Sequence, residues 1–220
     1  MGLFSFLGDA LSCIGSAVAS FAGALIEKLS PVIEVAKAVV EAIGKVVVTV
    51  ANILGLIPAD ESVEELGAKT MQDGVRAQME DESMQEYLDY LRNDVVLDEE
   101  KLAKMSVKEK TQCSSIGTAM VTNAIAEETG VRISPDFLIG MNKMKMTAEQ
   151  FVEVLNGFSA KGIDDMDMLP KFFQNRLTDQ ERLDVYEVIE TTEKKLNPES
   201  TEADVLRKID DMGEALNAGK

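Results

Sequence analysis

Residues 27–52 read EKLSPVIEVAKAVVEAIGKVVVTVAN, and the spacing of their polar groups decides how the fold is read. At about 100° per residue, the helical value, Glu27, Ser30, Glu34, Lys37, Glu41, Lys45, Thr49 and Asn52 all fall in one stripe about 120° wide. Lys28 lies outside it, and the rest of the circumference is Val, Ile, Leu and Ala. An ordinary surface helix has the reverse proportions, with the apolar face the narrower one. Glu34–Lys37, Lys37–Glu41 and Glu41–Lys45 stand at three- and four-residue spacing, where opposite charges pair and lower the cost of leaving water. Three settings fit: a helix buried in a bundle, a helix on a membrane surface, or the lining of a wet pore. Surface-lying helices carry a broad basic face, which this stripe lacks.

Working outward, Ala10–Ile26 is a run of 17 residues without a charge, and Val46–Ala59 is a run of 14. A bilayer core needs about 20 helical residues, with about 17 near the lower limit. Small residues recur in the first run at four-residue spacing: Gly8, Ser12, Ser16, Ser20 and Ala24, with Gly15, Ala19 and Gly23 beside them. Such strips let helices approach closely in a membrane, and equally in a bundle. Ser30-Pro31 suits an N-cap and first helical position, so the head is either a helical hairpin or one long helix kinked at Pro31. No Lys or Arg precedes Lys28, which argues against a cleavable signal peptide. Phe6 stands where N-myristoylation needs Ser or Thr.

The 220 residues carry 22 basic and 39 acidic side chains, a net charge of −17. Asp9, Glu27, Glu34 and Glu41 against Lys28, Lys37 and Lys45 leave residues 1–57 nearly neutral, so almost all the negative charge lies in 58–220. The expected organisation is an apolar, membrane-active helical segment over 1–57 and a soluble acidic helical domain over 58–220. Ser or Thr followed three residues later by Glu or Gln recurs at Ser62, Ser83, Ser106, Thr147 and Thr178, each a helix-start signature. No stretch alternates polar and apolar residues over strand length. The fold class is therefore all-α, an apolar hairpin or kinked helix followed by an acidic multi-helix bundle. Uncharged Thr111–Ala126 reads as the buried central helix of that body.

Chemistry is hard to find. The chain has no histidine and two cysteines, Cys13 and Cys113, so the usual proton shuttle and nitrogen metal ligand are missing. Net negative charge repels phosphate backbones, which excludes nucleic acid as a partner. Around Asp164 and Asp165 the calcium-loop positions that need Gly and Glu hold other residues. No catalytic residues, metal ligands or cofactors are expected, and the protein does not read as an enzyme. Met141, Met144, Met146, Met166 and Met168 read as core filling.

In layout the first 57 residues resemble the small membrane-depolarising antibacterial effectors delivered by type VI secretion. The resemblance is of architecture and carries no family residue across. It implies insertion into a target-cell lipid membrane, self-oligomerisation, and a chaperone or immunity protein. On that reading Glu27, Glu34, Lys37, Glu41, Lys45 and Asn52 line an ion-conducting pore. Gly8, Ser12, Gly15, Ser16, Ala19, Ser20, Gly23 and Ala24 then associate its helices. A chain made in the cytoplasm without a cleavable signal would be exported to act at that membrane. The alternative is a soluble α-helical structural or adaptor protein, such as a phage or secretion-machine component, using the apolar N-terminus as a subunit interface.

Overall fold

The computed structural model describes residues 3–29 and 32–218, with side chains from Ile14 onward. The described residues form eleven α-helices and no strand, which makes the chain all-α. It divides into two compact units, Met1–Glu128 and Thr129–Lys220, so the compositional boundary at Ile57 falls inside the first. The first unit holds α1 (Leu3–Glu27), α2 (Ile33–Ile53), α3 (Val63–Thr70), α4 (Met84–Asn93), α5 (Glu99–Lys104) and α6 (Val107–Thr129). The second holds α7 (Pro135–Lys143), α8 (Ala148–Ala160), α9 (Met168–Phe173), α10 (Asp179–Leu196) and α11 (Glu202–Asn217).

Local chemistry sets most helix starts. Ser83, Thr147 and Thr178 each accept a hydrogen bond from the backbone N–H three residues on, and the Glu or Gln there accepts one in return. Ser106 and Glu109 exchange the same pair, and Thr201 does so with Asp204. Two donors left over at the helix start are satisfied each time. The acids of the 164–167 turn are put to structural use. Asp165 pairs with Arg132 at 2.8 Å and Lys171 at 3.1 Å, and Asp167 accepts a hydrogen bond from Ser134.

The core of the first unit is α6, buried on all sides from Thr111 to Thr122. Three of its hydroxyls donate to carbonyls: Thr111 to Val107, Thr122 to Thr118, and Ser115 to Ala22 of α1 at 2.8 Å. Helices α3 and α6 meet backbone to backbone. A Cβ on Gly67 would lie 1.9 Å from the Cys113 carbonyl oxygen, and one on Gly117 would lie 1.9 Å from that of Val63. In the second unit, α8 and α10 pack together, and the Phe137 and Phe151 rings lie 5.0 Å apart in its core.

Among the described residues no helix is long and apolar enough to cross a membrane. That overturns the expected membrane-inserting, ion-conducting pore, and with it the depolarising activity that the effector resemblance implied. Two features give the physical reason. Helix α1 breaks at Gly15, where φ is +74°, and the twelve residues from Ser16 to Glu27 make only about 18 Å of helix. A bilayer core is about 30 Å thick. Helix α2 has 21 residues but carries Glu34, Lys37, Glu41 and Lys45, and a charge at mid-bilayer costs roughly 2.5–3.5 kcal/mol. The choice between hairpin and kink at Pro31 falls on residues 30 and 31, outside the described residues.

One ion pair gives the first unit an acid-sensitive clasp. Arg76 meets Glu82 at 2.5 Å with its guanidinium over the Tyr90 ring, 4.1 Å from the centroid. That hydrogen bond holds the Glu82 carboxyl below its ordinary value of 4.5. A lowered folded-state pKa stabilises above the unfolded value and is lost as pH falls through the folded one. Thermal stability is therefore expected to decline below pH 4.5. Glu82→Gln should lower stability at neutral pH and flatten that decline, read by melting curves from pH 7 downwards.

Candidate functional site

The outward face of α2 is where the structure gathers the residues that the sequence singles out. On α2, Ala36, Val40, Ile43, Gly44, Val47, Val48, Val50 and Ala51 are buried. The polar stripe borders that side, with buried Gly44 and Val48 at its margin: Glu34, Lys45 and Asn52 are exposed, Lys37 and Glu41 half-buried. Glu27, at the end of α1, is also exposed. Lys37 pairs with Glu41 at 3.1 Å, and the Asn52 amide donates to the Ile57 carbonyl at 3.0 Å. The stripe is thus the water-facing side of a helix whose core side is filled by its own chain.

The small residues of α1 divide. Gly15, Ser16 and Ser20 are exposed, Gly23 and Ala24 half-buried, and Ala19 is buried. Gly8 and Ser12 lie outside the residues whose side chains are described. Among the described side chains of α1, Ile14, Val18, Ala19, Ala22 and Leu25 enter the core, so aliphatic residues large and small share its packing.

Beside the stripe opens a cleft of about 710 Å³. Glu41, Gly44, Lys45, Val48 and Thr49 of α2 form one wall, Ala59 and residues 61–64 form the other, and Ser114 of α6 contributes to the lining. The Ser114 hydroxyl is buried and has no hydrogen-bond partner. Three carboxylates line the cleft, but Glu41 is held by Lys37 and Glu61 by Arg92 at 2.7 Å. The Ser62 hydroxyl caps α3. A serine needs an adjacent base to become a nucleophile, and no side chain is hydrogen-bonded to the Ser114 hydroxyl. Among the described residues no group of His, Cys, Asp or Glu could hold a metal ion.

Cys113 is fully buried in α6, and burial pushes its thiol up to about 12. The thiolate is the reactive form, so Cys113 is inert at neutral pH. Alkylation with iodoacetamide at pH 7.5, followed by peptide mass mapping, should leave Cys113 unmodified in the native protein and label it in denaturant.

Sequence reasoning gave the stripe and missed what lies next to it. Val32, Val35 and Ile53 of the α2 region are 52%, 49% and 47% exposed, and Val39, Ala42 and Val46 between them are half-buried. All six sit within the wide apolar face of the helix, and periodicity alone does not separate its covered part from its open part. Comparison with protein-family models, curated proteins and solved structures finds no match to this chain. What the fold and the site define is an all-α chain whose second helix presents both a polar stripe and an uncovered apolar edge.

Proposed function

We propose that the protein is a non-catalytic α-helical assembly protein, a structural or adaptor element of the kind that builds phage particles or secretion machines. It joins subunits through its apolar N-terminal helices. The observation that carries this reading is the open apolar edge of α2 at Val32, Val35 and Ile53. Single exposed aliphatic residues are ordinary, whereas a contiguous apolar patch marks an interaction surface, and the half-buried Val39, Ala42 and Val46 join the exposed ends of this edge. Charge points to the same region, because residues 1–57 are almost neutral in a chain of net charge −17. The buried, inert Cys113 and the paired carboxylates of the cleft fit a scaffold better than a reaction centre.

Light scattering on the eluting chain tests this. The 24.0 kDa monomer should give way to a higher mass as concentration rises. Added salt should promote that shift, since it screens the repulsion between acidic copies. A constant monomer mass at every concentration and salt would overturn the reading.

A further inference from the structure

We infer that the cleft beside α2 binds a small zwitterion, a free amino acid or short peptide with an aliphatic side chain. The inference goes beyond the assembly reading, since a monomer carries the cleft as fully as an oligomer does. The two walls meet where α2 has no side chain: a Cβ on Gly44 would lie 2.7 Å from Val63 Cγ2 and 3.2 Å from Thr118 Oγ1. Ser114 of α6 lines the cleft while only 1% exposed, and its hydroxyl has no hydrogen-bond partner among the described residues. The Thr118 hydroxyl, one turn further along α6 and beside Gly44, is fully buried and equally without a partner. Buried hydroxyls are ordinarily hydrogen-bonded, and Thr111, Ser115 and Thr122 of the same helix all donate to carbonyls. Of the three hydroxyls that line the cleft, Thr49 donates to the Lys45 carbonyl and Ser62 caps α3, which leaves Ser114 for a ligand.

Charge selects the ligand. The charged lining residues are Lys45 on the α2 wall and Glu41, Glu61 and Glu64. Glu41 is taken up by Lys37 and Glu61 by Arg92. Among the described residues Lys45 and Glu64 form no ion pair, with each other or with any other side chain. The cleft therefore offers one uncommitted cation and one uncommitted anion, on opposite walls. A ligand with a single charge would satisfy one of them and leave the other unmatched. A ligand carboxylate on Lys45, an ammonium on Glu64 and a hydrogen bond with Ser114 match all three, two of them charge-assisted. Val48, Val63 and Ala59 supply the apolar part of the lining, which suits an aliphatic side chain. The volume of about 710 Å³ falls within the range of small-molecule sites, about 300–1,000 Å³.

Equilibrium dialysis of the full-length chain tests this. The probes are L-leucine and L-leucyl-L-alanine, with isopentylamine and isocaproate as relatives that keep one charge each. At least one zwitterion should bind, about tenfold or more tightly than either relative, because each relative leaves one charge of the cleft without its charge-assisted hydrogen bond. Binding of either zwitterion supports the inference, and the tighter of the two tells a free amino acid from a peptide. Lys45→Met and Glu64→Gln should each weaken that binding by about tenfold or more, and Ser114→Ala should weaken it as well. Lys45 is exposed and Glu64 half-buried, so these two variants keep the test valid even where Ser114→Ala disturbs the fold, which circular dichroism checks. Failure to retain either zwitterion at millimolar concentration overturns the inference. So does a single-charge relative that binds as tightly as the better zwitterion, or binding that both Lys45→Met and Glu64→Gln leave unchanged.

Discussion

Alanine at Gly117 or at Gly67 is expected to unfold the first unit, or to cost it roughly 3 kcal/mol or more. Overpacking a core costs about 1–3 kcal/mol when side chains can shift, and here they are not what stands in the way. The new methyl at either position would sit 1.9 Å from a carbonyl oxygen of the facing helix. Relief requires α3 and α6 to move apart, which opens the packing around the fully buried α6. Gly213→Ala is the matched control, because its Cβ would meet only the Phe173 ring, at 3.3 Å. Alanine also favours helix over glycine by about 1 kcal/mol, so that variant should change stability by no more than about this amount in either direction. Urea unfolding followed by circular dichroism reads both. If Gly117→Ala matches Gly213→Ala, the close crossing of α3 and α6 is wrong.

The second large effect belongs to the other unit. Phe151 is fully buried against Phe137, the rings tilted 58° to one another. Truncation to alanine removes a buried ring and leaves a cavity, and such changes cost about 3–5 kcal/mol. Phe151→Leu keeps most of the volume and should cost clearly less. The same urea series gives the ordering, and equal losses for the two variants would mean that the site collapses freely and is not tightly packed.

How much of this was legible in the sequence depends on how local the cause is. The Ser83–Glu86, Thr147–Gln150 and Thr178–Glu181 boxes are set by residues three apart, and the sequence showed them directly. The Thr201–Asp204 box is as local, but Asp stands where the usual signature has Glu or Gln. Burial of α6 was legible because uncharged Thr111–Ala126 leaves no polar face to turn outward. The break at Gly15 was not legible, since a glycine among Ser and Ala fits an uninterrupted helix equally well. That break is what removed the spanning segment. The glycine crossing was hidden too, because what faces Gly67 and Gly117 is set by tertiary packing.

The candidate site was half legible. Periodicity assigned the polar groups of α2 to one stripe, and the structure places that stripe on the outside of the helix. The sequence offered both a pore lining and a subunit interface for the apolar head, because a hydrophobic pattern tells which residues avoid water and not what covers them. The structure adds that cover for one apolar face, from Ala36 to Ala51, and leaves Val32, Val35 and Ile53 exposed. That edge was present in the sequence, merged with its buried neighbours into one wide apolar surface.

Sedimentation equilibrium of the intact chain beside Val35→Glu and Glu34→Gln tests the central claim most directly. Val35 and Glu34 are adjacent and both exposed, so neither substitution threatens the core, yet only the first puts a charge into the apolar edge. The intact chain should associate reversibly. Glu34→Gln should associate much as the intact chain does, and Val35→Glu should weaken association by about tenfold or more, equivalent to about 1.4 kcal/mol. A monomeric intact chain, or association that Val35→Glu leaves unchanged, would contradict the assembly reading.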